Sequence, residues 1–96
     1  MSKARITINE TKSGYFELWM NPEGRELLVK KLMQLDVSDD HFHIGQREDL
    51  EVSSIPYRPD DKIIEWGKVY LRYDDWDEKH FPHVMKWKKW DPSELK

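Results

Sequence analysis

The chain contains no cysteine. That excludes disulfides, thiolate nucleophiles and Cys-based zinc sites, and it removes the staples on which many small secreted domains rely. Long apolar runs are also lacking, and none approaches the roughly 20 residues a helix needs to cross a bilayer. The opening Met1-Ser2-Lys3-Ala4-Arg5 leads into no apolar stretch of the kind a signal peptide carries. These absences predict a cytoplasmic protein without membrane contact. Glycine is scarce: Gly14, Gly24, Gly45 and Gly67 stand singly, so there is no Gly-rich phosphate loop. The serines (Ser2, Ser13, Ser38, Ser53, Ser54, Ser93) sit in no nucleophile-elbow setting. There is no internal repeat and no low-complexity tract.

What is present suits one small folded domain, expected to span residues 1–96. Five Trp and four Tyr are far more aromatic material than a disordered chain carries. Net charge is −3, but residues 36–61 alone hold −6 and residues 74–78 hold −4. An acidic middle argues against nucleic acid as the ligand. It suits a basic protein partner, although acidic loops also simply keep small domains soluble.

Ile6 and Ile8 alternate with Arg5 and Thr7 in a strand pattern. Thr11-Lys12-Ser13-Gly14 is a turn signal, and residues 15–20 alternate again. Phe16, Leu18 and Met20 share one face there, and Tyr15, Glu17 and Trp19 share the other. The two runs read as a hairpin. Asn21-Pro22-Glu23 is a helix start: Asn21 caps, Pro22 suits the first position and Glu23 complements the dipole. At about 100° per residue, Gly24, Leu27, Leu28, Leu32 and Leu35 gather on one face of a helix running to about Leu35. Gly24 on that face would let the helix approach a sheet closely.

Residues 41–44 and 50–53 read as short strands, and residues 63–73 as a longer one. The apolar parity switches at Gly67 in the last, which predicts a bulge or sharp bend. The expected fold is α+β, in the order ββαβββ, a mainly antiparallel sheet with one helix on one face. The other face would carry Tyr15, Glu17, Trp19, His41, His43, Glu51, Lys68, Tyr70 and Arg72. The segment 76–96, with Trp87 and Trp90, can pack back on it, although no regular structure is legible there.

His41 and His43 share a strand face and are the candidates for a metal pair, with His80 and His83 as further ligands. H-x-H on a half-exposed strand is more commonly a polar face, and the later HxxH lacks the helical spacing and the Glu of a zincin. The adjacent Asp-Asp dipeptides read as solvated turns rather than acid/base pairs. No enzyme, metal or cofactor is therefore expected. Trp19, Tyr15 and Tyr70 could stack bases, but the basic track that accompanies stacking is thin. Protein binding fits best, because Trp and Tyr serve as interface anchors and flanking acids steer a basic partner. The candidate binding residues are Asp74, Asp75, Trp76, Asp77 and Glu78, read as a loop, with Asp39, Asp40, Trp19 and Tyr70. Trp76 can equally fold back as a lid on the core.

The run Phe16-Glu17-Leu18-Trp19-Met20-Asn21-Pro22-Glu23-Gly24, the Leu-rich helix after it and His41-Phe42-His43-Ile44 together resemble the bacterial immunity protein 32 family of polymorphic toxin systems. Pro22-Glu23-Gly24 matches that family's helix start. His41-Phe42-His43-Ile44 matches its HxHL-like strand, with Ile44 in the Leu place. The resemblance covers roughly residues 13–73, and the tail from Trp76 onward departs from the pattern. It implies a cytosolic antitoxin-like protein that neutralises a cognate toxin by tight binding, with no catalytic residues. A basic toxin would be the natural complement. The alternatives are a small His-dependent metal-binding protein or hydrolase, and a non-enzymatic adaptor domain.

Overall fold

The central strand is β1 (Ile6–Glu10), which pairs antiparallel with β2 (Phe16–Met20) on one side and with β4 (Lys62–Ile63) on the other. A computed structural model describes residues 3–85 of the chain. A second, two-stranded sheet joins β3 (His41–Ile44) to β5 (Gly67–Tyr70), also antiparallel. The main helix α1 (Pro22–Met33) follows β2, and a short helix α2 (Asp74–His80) follows β5, with a 3-10 turn at Pro82–Met85. The architecture is α+β with antiparallel sheets and one main helix.

Local chemistry explains the first half. Gly14 adopts φ 88°, which closes the hairpin at little steric cost, and its N–H donates to Thr11 O at 2.9 Å. Asn21 caps α1, its Oδ1 accepting from Gly24 N at 2.7 Å. The same oxygen accepts from Arg5 N at 2.9 Å, while Asn21 Nδ2 donates to Lys3 O at 2.8 Å. One side chain therefore starts the helix and clips it to the chain leading into β1.

Gly24 is buried against that chain. A Cβ there would overlap the Arg5 carbonyl oxygen and lie 3.0 Å from Ile6 Cγ1, so the expected close approach is present. Leu27, Leu28 and Leu35 then pack on a core of Ile6, Ile8, Phe42, Leu50 and Val52, joined by Ile44, Ile64 and Val69 from both sheets. Leu32, expected on this face, stays exposed, and α1 ends at Met33 rather than Leu35.

Three expectations are corrected. Residues 50–53 form no strand: Leu50 makes one isolated bridge to Ile44 and Ser53 N donates to Ile6 O at 2.7 Å. The tight turn after Ile44, closed by Gly45 N donating to Leu50 O at 3.1 Å, uses the groups a ladder would need. Next, the long strand over 63–73 divides. β4 joins β1, β5 joins β3, and the bend falls at 64–66, just before Gly67. The parity switch read from the sequence is thus a change of sheet.

The third correction concerns the faces of β2. Phe16, Leu18 and Met20 are 66%, 41% and 36% exposed, whereas Glu17 and Trp19 are half-buried. The loop over 54–61 covers the Glu17 and Trp19 face: Tyr57 stacks on Trp19 with ring centroids 4.1 Å apart, and Arg58 pairs with Glu17. Thr7 and Asn9 of β1, directly across from Trp19 and Glu17, are 1% and 0% exposed. Covering that face therefore falls to a loop. The segment 86–96, with Trp87 and Trp90, lies outside the described residues.

Candidate functional site

The β3–β5 ladder runs from Ile44↔Gly67 to His41↔Tyr70, and one further bond, Leu71 N to Asp40 O at 2.7 Å, carries it past the strand ends. That bond sets Arg72 beside Asp40, and their side chains pair at 2.5 Å. Arg72 is only 26% exposed on its side chain. Its guanidinium carbon lies 4.7 Å from the Tyr70 ring centroid and 4.6 Å from that of Trp76. A cation held over two aromatic rings and paired with a carboxylate is a rigid arrangement, because each contact restricts the same planar group.

Trp76 reaches Arg72 because residues 74–78, expected to be a loop, instead form the first turn and a half of α2. The helix suits the sequence: Asp74, Asp75 and Asp77 fall in its first turn and Lys79 and His80 in its last, matching the dipole at both ends. Helical spacing brings His80 onto Trp76 at 4.4 Å between centroids, and Phe81 follows at 5.5 Å. Trp76 is 39% exposed, so it is neither a buried lid nor a free side chain. Its ring rests partly on Arg72 and partly in solvent.

Asp40 anchors the other end. Its Oδ1 lies 2.9 Å from His41 Nδ1. That hydrogen bond, followed by the Arg72 charge, holds the Asp40 carboxyl below the usual aspartate range. The His41 ring in turn lies 5.4 Å from Tyr70 and 5.2 Å, edge on, from His43. Asp49 accepts from His43 N at 2.9 Å, the first cause of its own lowered pKa. Beside the cluster is a cavity of about 150 Å³, lined by Val37, Leu71 and Trp76 together with Asp40 and Asp75.

Asp40, Tyr70, Trp76, Asp75 and Asp77 are thus gathered around Arg72, while Asp74 and Glu78 lie on the same short helix. Asp39 is elsewhere, in a turn where its N–H donates to Asp36 Oδ1 at 3.1 Å. Trp19 belongs to the other sheet, under Tyr57. Arg72 is the residue that sequence reasoning placed only on a strand face. Its i,i+2 relation to Tyr70 puts the two on one strand face, but nothing local points to Trp76. The side chains of His41 and His43 each meet a carboxylate, Asp40 and Asp49. Among the described residues no group of three or more His, Asp or Glu is placed to hold a metal ion. No helix among them is long and apolar enough to cross a membrane.

The groups present can bind and orient a partner: a half-exposed indole, a phenol ring, a fixed guanidinium and carboxylates of one sign. Comparison of the chain with known protein families, with curated proteins and with solved structures finds no match in any of the three.

Proposed function

We infer that this chain is an immunity protein, which binds and neutralises a basic bacterial toxin through α2 and the Arg72 cluster behind it. The observation that carries the reading is the joining of a half-exposed Trp76 to four carboxylates, Asp74, Asp75, Asp77 and Glu78, on one short helix. None of the four takes part in an ion pair among the described residues. An aromatic anchor fixed on a rigid base and ringed by charge of one sign is how protein interfaces obtain both a hot spot and steering. The cavity lined by Val37, Leu71, Arg72 and Asp75 suits the aliphatic stem of a partner Lys or Arg, with Asp75 as the carboxylate that Arg72 does not pair with. The resemblance of residues 13–73 to immunity protein 32 supports the same reading and adds the toxin as the class of partner.

The test is binding to the polypeptide encoded by the adjacent gene, measured by calorimetry with wild type and Trp76→Ala. Wild type should bind tightly, and Trp76→Ala should lose at least about 2 kcal/mol, roughly a thirtyfold weaker complex. Asp74→Asn with Asp75→Asn should mainly slow association at low salt. No complex at about micromolar concentration would sink the reading.

A further inference from the structure

β2 is an outer strand: β1 pairs with it on one side, and no described strand lies on the other. An edge of this kind presents unpaired N–H and C=O groups, which proteins usually blunt with Pro, Lys, a bulge or an inward charge. β2 has no Pro, Lys or bulge, and its inward-facing charge is neutralised within the fold. Its register with β1 runs unbroken from Ile6↔Met20 to Glu10↔Phe16, and Phe16-Glu17-Leu18-Trp19-Met20 contains neither Pro nor Lys. Its one charge, Glu17, is already engaged by Asn9 and Arg58. On the opposite face, Phe16, Leu18 and Met20 remain exposed, although Ile8 and Ile6, directly across from Leu18 and Met20, are buried. The apolar face of β1 therefore continues onto β2 and, among the described residues, stops uncovered at the edge.

We propose that β2 pairs antiparallel with β2 of a second copy of this chain, about a two-fold axis through Leu18, giving a weak homodimer. The strand complements itself in that register. Phe16 meets the second copy's Met20, Leu18 meets Leu18, and Glu17 meets Trp19, so apolar side chains share one face and no like charges oppose. The neighbouring symmetric register would set Glu17 against Glu17. The opposite slip would run Phe16 against Pro22, which already belongs to α1. A one-residue slip would set the apolar face against the Glu17 and Trp19 face. Three side chains and a five-residue ladder cover less than the about 800 Å² per partner of a tight complex, so dissociation in the range of about 10 to 100 µM is expected. The dimer uses none of the toxin-facing residues proposed above, and its test is independent of that reading.

Sedimentation equilibrium from about 1 µM to about 500 µM should show the monomer giving way to a dimer. Leu18→Lys, which sets two charges face to face at the axis, should weaken the dimer at least about tenfold. Phe16→Lys, at a more exposed site, should also weaken the dimer by setting a charge against the second copy's Met20, and serves if Leu18→Lys does not fold. Because the chain has no cysteine, Leu18→Cys gives a second readout: mild oxidation should trap a covalent dimer, and Ser38→Cys should not. A monomer at every concentration overturns the proposal. So does a dimer indifferent to both lysine variants, and so does Leu18→Cys cross-linking no faster than Ser38→Cys. Capture of the toxin at Leu18→Cys by a chain that is monomeric alone assigns the edge to that partner and also overturns the homodimer.

Discussion

Replacing Gly24 with alanine separates two opposed effects. In an exposed helix interior, Gly→Ala is stabilising by about 1 kcal/mol, because alanine is the better helix former and restricts the unfolded chain. At Gly24 the new Cβ would overlap the Arg5 carbonyl oxygen and crowd Ile6 Cγ1 at 3.0 Å. Both neighbours belong to the strand region that α1 covers, and a backbone oxygen cannot swing aside as a side-chain tip can. Relief requires α1 and the start of β1 to separate, which strains the Asn21 N–H bond to Arg5 O, now 3.1 Å. Overpacking of this kind costs about 1 to 3 kcal/mol, and a weakened hydrogen bond adds about 1 kcal/mol. The net expectation is a loss of about 1 to 3 kcal/mol, opposite in sign to helix propensity. Urea unfolding followed by circular dichroism should show the midpoint falling by about 1 M or more, given a slope of about 1 kcal/mol per molar for a chain this small. Gly67→Ala is the matched control, since a Cβ there meets nothing within 4 Å; its midpoint should hold or rise slightly. A Gly24→Ala protein as stable as wild type would refute the close approach of helix and strand.

Two further outcomes follow from the side-chain networks. Arg72→Lys keeps the charge beside Asp40 but loses the flat stacking on Tyr70 and Trp76. Hydrogen exchange of the α2 amides should accelerate about fivefold, equivalent to about 1 kcal/mol, and unchanged exchange would show that α2 is held by other contacts. Acid should destabilise the fold. Glu17, Asp36, Asp40 and Asp49 all have folded-state pKa values below their ordinary ones, chiefly through hydrogen bonds from Asn9, Ser38, His41 and the His43 backbone respectively. A depressed carboxylate contributes stability that is present above its unfolded pKa and is lost as pH falls through the folded one. The melting temperature should therefore hold near neutrality and drop below about pH 4. Asp40→Asn should flatten part of that drop, and a melting temperature independent of pH from about 6 to 3 would contradict these assignments.

The features legible in the sequence were those decided within a few residues. Asn21-Pro22-Glu23 specifies a helix start wherever it sits, because the cap, the fixed Pro φ and the dipole act locally. The hairpin of β1 and β2 follows from alternation and a Gly-ended turn, and the parity break at Gly67 announced a change of direction. Residues 74–78 read as a loop from the sequence because their acids suit a loop and a helix first turn equally well. Propensity over seven residues cannot decide between them; docking of Trp76 on Arg72 adds the contacts that residues 74–80 do not make among themselves.

By itself, then, the sequence determined the α+β class, the position of α1, the close approach at Gly24 and the acidic, aromatic character of residues 74–78. Only the tertiary structure decided which partner each strand takes and which face each side chain loses to the core. Alternation places Trp19 and Phe16 on opposite faces of β2, but it cannot say that a distant loop brings Tyr57 to one face and leaves the other bare. Nor can it place Arg72 between Asp40 and Trp76, residues 32 and 4 positions away along the chain. Periodicity reports what is shared by near neighbours, whereas burial and pairing depend on segments that meet only after the chain has closed on itself.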